Sequence, residues 1–153
     1  MQYSVRGFTL IELLLVVAIL AILGSIGFGF YGNTTKDVEI TEISKQIMSD
    51  VRGARSSAIA GQKDRAWGIH FTHTATSSYY QMYSTPTNYS DPAVTIENSV
   101  NLTNGISFSD PAQSFTKDVL FSRVSGTTTA TTVTLTSQLE SITVTISSLG
   151  VVY

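Results

Sequence analysis

The chain opens on a long apolar run, RGFTLIELLLVVAILAILGSIGFGFY from Arg6 to Tyr31, in which Glu12 is the one charge after Arg6. At about 1.5 Å per helical residue, positions 8–31 reach roughly 36 Å, enough to cross a bilayer's hydrocarbon core. Gly32-Asn33-Thr34-Thr35 then reads as a pause whose threonines can cap a following helix. From Lys36 to Gly61 the apolar positions Ile40, Ile43, Ile47, Val51, Ala54 and Ala58 recur at three and four residues. That spacing predicts an amphipathic helix with one buried stripe, stopped at Gly61. Asp37, Glu39 and Glu42 lie early in it and Arg52 and Arg55 late, which suits a helix dipole.

After Gly61 the pattern changes to alternation. Trp67, Ile69 and Phe71 alternate with Gly68, His70 and Thr72, the mark of a strand with one apolar face. Tyr79 to Tyr83 predicts a second strand, joined to the first by a hairpin. Residues 84–104 are polar and hold Pro86 and Pro92, which predicts a surface excursion with at most a short strand at Val94–Ile96. Strand signals return at Ile106–Phe108, Val119–Phe121, Val133–Leu135 and Ile142–Ile146. Helix and sheet can cover each other in a two-layer α+β domain. The expected core is Ile40, Ile43, Ile47, Val51, Trp67, Ile69, Phe71, Phe121, Leu135, Val144 and Ile146.

Glu12 needs an explanation, because a carboxylate at the centre of a spanning helix costs about 2.5 to 3.5 kcal/mol, and less towards the interface. Either it stays hydrated near the headgroups or it pairs with a positive group on a neighbouring copy of the segment. An ordinary secretory signal, with Arg6 as its basic region and cleavage after Ser25-Ile26-Gly27, leaves Glu12 unexplained.

The run Gly7-Phe8-Thr9-Leu10-Ile11-Glu12 followed by an apolar helix resembles the N-termini of type IV pilins and of the pseudopilins of type II secretion and competence systems. The resemblance implies a leader of residues 1–7 and cleavage between Gly7 and Phe8 by a prepilin peptidase, which also N-methylates Phe8. It implies a membrane and polymerisation helix over 8–31, an amphipathic helix over 32–61 and a β-rich head over 62–153, the pilin-like α+β arrangement. Glu12 would neutralise the Phe8 amine of an adjacent subunit, setting register rather than bulk affinity.

Many major pilins carry proline where this chain has Gly29, so the glycines of Gly24–Gly29 are the place where the helix would loosen. The segment VRGARSSAIAGQKDRAWGIHF, with Arg55-Ser56-Ser57-Ala58-Ile59, and the closing stretch from Val119 to Val152 resemble the H-type minor pseudopilins and their type IV pilus relatives. The expected partners are the prepilin peptidase, other pilin or pseudopilin subunits, the inner-membrane assembly platform and the membrane itself. The expected location is the cytoplasmic membrane, single-pass with the head outside, and then a periplasmic or extracellular filament. A filament-associated subunit that captures DNA, a surface or a secretion substrate is the alternative function.

Composition narrows the chemistry. Without the leader, eight Lys or Arg stand against eleven Asp or Glu, a side-chain charge of −3 that argues against a strongly basic nucleic-acid binder. Arg52, Arg55, Lys63 and Arg65 are the one basic concentration and the candidate DNA contacts, although cations gathered at a helix end explain them as well. No cysteine is present, so thiol chemistry and disulfides are excluded. His70 and His73 lie three apart on a predicted strand, where successive side chains alternate, so they would share a metal poorly. Tyr79, Tyr80, Tyr83 and Tyr89 could stack on sugars or simply form an amphipathic strand surface. No catalytic residue, cofactor or metal is expected, and the chain reads as a structural protein rather than an enzyme.

Overall fold

The computed structural model describes residues 9–103 and 105–153, with side chains throughout except those of 26–37. Its contacts fall into two units, Met1–Thr35 and Lys36–Tyr153. Helix α1 is Leu10–Ile59. The backbone is helical through Gly24–Gly29 and through Gly32–Thr35, so no second helix begins at Thr34 or Thr35 and the glycines do not unwind it. Each interior glycine costs a helix about 1 kcal/mol, too little to interrupt one that continues cooperatively on both sides.

In the first unit every large apolar side chain from Leu10 to Leu23 is exposed. Among the described residues no helix is long and apolar enough to cross a membrane. The expected span 8–31 runs past both ends of the described side chains: Phe8 precedes them, and those of 26–31 lie outside them.

The second unit is built on the amphipathic part of α1. Ile40, Ile47, Val51, Ala54 and Ala58 are fully buried. Ile43, expected beside them, is only partly buried; Ser44 takes the inward position, its hydroxyl donating to the Thr41 carbonyl at 2.7 Å. The chain leaves the helix at Gly61, whose φ of 63° is left-handed and suits glycine. A short 3-10 turn, Gln62–Asp64, leads into the strands.

The strands are β1 Ala66–His73, β2 Ser78–Thr85, β3 Thr95–Asn101, β4 Ser107–Asp110, β5 Phe115–Phe121, β6 Thr131–Thr136 and β7 Ser141–Ile146. Among the described residues they form an antiparallel four-stranded sheet in the order β3-β2-β1-β5 and an antiparallel three-stranded sheet, β4-β6-β7. Within the excursion expected over 84–104, a loop over 86–94 leads into a seven-residue strand, β3, longer than the short strand expected at Val94–Ile96. β3 exposes most of its side chains and is held at the sheet edge by backbone pairing with β2, so it carries no apolar alternation to read.

One core joins the helix and both sheets. Apart from Ile43, every residue of the expected core is buried. Ala54, Ala58, Tyr80, Ile106, Phe108, Val119, Val133 and Val152 complete it. Phe71 of β1 meets Phe108 of β4 edge-on, ring centres 5.6 Å apart at 85°, and so links the two sheets.

Two glycines respond oppositely to a methyl group. A Cβ on Gly68 would lie 2.6 Å from the Val119 carbonyl oxygen and 2.7 Å from the Tyr83 ring, whereas one on helical Gly53 would meet nothing within 4 Å. Gly68→Ala is expected to destabilise the protein by about 1 to 3 kcal/mol. Gly53→Ala should stabilise it by about 1 kcal/mol. Chemical denaturation of the two variants, read by circular dichroism, checks the opposite signs.

Candidate functional site

Thr9 and Glu12 close a capping box at the start of α1. The Thr9 backbone N–H and hydroxyl both donate to Glu12 Oε2 at 3.0 Å, and the Glu12 backbone N–H reaches back to Thr9 Oγ1 at 3.4 Å. Each end thus satisfies a group that a helix N-terminus leaves bare. A threonine three residues before a glutamate is the sequence signal for this box, and it gives Thr9 a role beside Glu12. Glu12 Oε1 takes no part in the box. Gly7 and Phe8 lie outside the described residues.

Beside this carboxylate the helix offers only apolar surface, from Leu10 at 82 % exposure to Ile19 at 49 %. An exposed apolar face of this length marks an assembly or membrane surface.

The four cations singled out in the sequence each have an acceptor on their own chain. Arg52 donates to the Val152 carbonyl at 3.3 Å, and Arg55 to the Gly126 carbonyl at 3.3 Å. Lys63 bonds both Glu97 carboxylate oxygens at 2.5 and 2.6 Å and lies 5.6 Å from the Trp67 ring centre. Arg65 donates to the Ala93 carbonyl at 2.6 Å and to Thr95 Oγ1 at 3.1 Å. The last turn of α1 holds no basic residue, so Arg52 and Arg55 serve the closing strand and turn rather than the dipole. That use depends on partners 71 and 100 positions away, out of reach of any local pattern.

The tyrosines do not form a stacking platform. Tyr80 is buried and donates to Asp50 of α1 at 2.7 Å; burial, then the hydrogen bond and charge of Asp50, push its phenol pKa well up. Tyr83 crosses over Gly68 to donate to Asp118 at 2.7 Å, with its pKa raised by burial and by that carboxylate. Tyr89 stacks on His70 at 3.6 Å, almost parallel, and donates to Gln81 Oε1 at 2.7 Å. His70 Nδ1 is buried without a hydrogen bond, 3.6 Å from Asp118. These contacts fasten the segment between β2 and β3 against the outer face of the four-stranded sheet. His73 lies apart, its Nδ1 at 3.3 Å from the Pro111 carbonyl oxygen. Among the described residues no group of three His, Cys, Asp or Glu side chains could hold a metal ion.

Comparison with known families fits this arrangement. A model of the prokaryotic N-terminal methylation motif matches residues 3–28. Together with the α+β head, it defines the class: a pilin-like filament subunit of the kind that prepilin peptidase processes. The type II transport protein GspH family matches residues 44–150, most of the chain. The chain belongs to that family and is a minor pseudopilin of type II secretion, a structural subunit. Neither a curated protein nor a solved structure matches it.

Glu97 offers a pH test of the head. Burial raises its pKa, but the hydrogen bonds from Lys63 and Ser84 and the charges of Lys63 and Arg65 outweigh this and leave it below the ordinary value. On acidification the unfolded chain therefore binds the proton first, and the stabilisation present above the unfolded pKa of about 4.3 is lost as pH falls through the lower folded value. The melting temperature should fall between about pH 5 and pH 3, and Glu97→Gln should fall less steeply over that window. Thermal melts of both proteins at half-unit steps measure the difference.

Proposed function

We propose that the chain is cut between Gly7 and Phe8, is methylated at the new Phe8 amine, and waits in the cytoplasmic membrane as a single-pass protein with its head outside. It then enters the pseudopilus through its N-terminal helix. Its partners are the prepilin peptidase, neighbouring pseudopilins and the inner-membrane assembly platform. The chain performs no reaction of its own; the chemistry here is done to it.

The observation carrying this reading is the exposed apolar stretch from Leu10 to Leu23 with a single carboxylate, Glu12, at its start. Side chains of this size gain about 1.5 to 3 kcal/mol each when withdrawn from water. Once outside the bilayer they must pack against similar helices, and that packing supplies the bulk of assembly. Glu12 contributes direction instead. With Oε2 held by Thr9, Oε1 is left to meet the Phe8 amine of an adjacent subunit. Thr9 is thus a positioning residue that fixes the carboxylate at the helix start.

Four variants separate these roles. Gly7→Ile should block leader removal, seen as an unshifted precursor on a gel. Glu12→Ala should be inserted and processed but fail to co-assemble, so normal incorporation of that variant would sink the register argument. Thr9→Val should fall between Glu12→Ala and the parent in filament incorporation, with Thr9→Ser restoring it.

A further inference from the structure

Strands β6 and β7 carry hydroxyl side chains at every second position: Thr132, Thr134 and Thr136 on one, Ser141, Thr143 and Thr145 on the other. The register sets them side by side as Thr132–Thr145, Thr134–Thr143 and Thr136–Ser141. Successive residues of a strand face opposite ways, and Val133, Leu135, Val144 and Ile146 are the ones turned into the core. The hydroxyls therefore share the outer face of the three-stranded sheet.

Two of the three pairs close on themselves. Thr134 and Thr143 lie 3.0 Å apart, oxygen to oxygen, and so do Thr136 and Ser141. The third pair is different. Thr132 donates to Asp110 Oδ2 at 3.1 Å, and the Thr145 hydroxyl has no intramolecular partner among the described residues.

This open row continues onto Tyr153. Thr145 and Tyr153 exchange backbone hydrogen bonds of 2.9 and 3.1 Å, which makes them directly opposed residues with side chains on the same face. One position along, Ile146 and Val152 are bridged and buried. Tyr153 is 68 % exposed. Thr132, Thr145 and Tyr153 thus form a row across the sheet that ends in an aromatic ring. Beside it runs a groove of about 540 Å³ lined by Thr131, Thr132, Thr145, Ser147, Ser148 and Tyr153. The groove has no charged side chain in its lining. Asp110, the acid touching the row, is neutralised by its ion pair with Lys117.

We infer that this groove is a binding site for an uncharged polysaccharide. The groove lies open along the sheet face, which suits a chain-like ligand rather than an enclosed small molecule. Hydroxyls both donate and accept and turn to suit a partner, so a row of them matches a ligand that presents hydroxyls of its own. The Tyr153 ring offers an apolar face to the C–H side of a sugar, with its phenol free to hydrogen-bond. A nucleic acid needs several cations for its phosphates, and none of the lining side chains is cationic. An open hydroxyl row, a lining without charged side chains and one exposed ring suit a glycan.

The full-length protein, held in phosphocholine micelles to avoid sugar-based detergents, can be run through native gels containing hydroxyethylcellulose, xylan or a mixed-linkage β-glucan, with polygalacturonate as the anionic comparison. Retardation by at least one neutral polysaccharide is expected. Tyr153→Ala should raise the apparent Kd at least tenfold and Thr145→Val severalfold, while Ser90→Ala, on the other sheet's covering segment, binds as the parent does. Thr145→Val keeps the strand's preference for β structure, and an unchanged melting curve shows that its loss of binding reads the groove. No retardation by any neutral polysaccharide overturns the inference. So does retardation by polygalacturonate alone, or binding that survives the Tyr153→Ala/Thr145→Val double substitution.

Discussion

One stripe of helix α1, Ile40, Ile47, Val51, Ala54 and Ala58, is wholly withdrawn from water, and both sheets of the head depend on it. Large side chains fill its first turns and alanines its last, so the sheets pack against bulk at one end and close to the helix backbone at the other. The stripe cannot be buried by one sheet alone. Phe71 from the four-stranded sheet and Phe108 from the three-stranded sheet meet in the same core, and that edge contact makes the two sheets one cover. Arg52 and Arg55 then reach from the flank of the helix to the Val152 and Gly126 carbonyls, fixing the closing segment to the element that starts the head.

The N-terminal part of the same helix obeys the opposite rule. Its large apolar side chains are outward, with nothing of the described chain to cover them, and the one carboxylate is held by its own helix cap. A chain that buries one stripe of a helix and leaves another wholly bare requires a non-aqueous or protein environment for the bare one. Membership in a family of pseudopilins supplies both, first a membrane and then a filament.

The outer faces of the two sheets differ in a way that their strands alone do not suggest. On the four-stranded sheet, Tyr89 lies flat on His70 and Tyr83 reaches Asp118, so the aromatic groups are spent on holding the segment that precedes β3. On the three-stranded sheet nothing of the described chain folds over the outer hydroxyls, and the exposed aromatic is Tyr153. The tyrosine-rich strand is therefore structural, its phenols bound to acids of the same chain.

The sequence by itself determined the helix stripe, the alternation of β1, β6 and β7 and the N-terminal methylation motif, because each is written in a local period or a short run. The residues expected in the core are buried except Ile43, where Ser44 turns inward instead, but Tyr80, Ile106, Phe108, Val119, Val133 and Val152 join the core without having been expected there. Only the tertiary structure decided that Arg52, Arg55, Lys63 and Arg65 are taken up by separate acceptors, since those acceptors are between 28 and 100 residues distant. It also decided that β3 is a full strand, because an edge strand is held by backbone pairing and needs no apolar face. The row from Thr132 to Tyr153 belongs to the same category: its members come from three separate pieces of chain, and register, a property of pairing rather than of any one segment, brings them together.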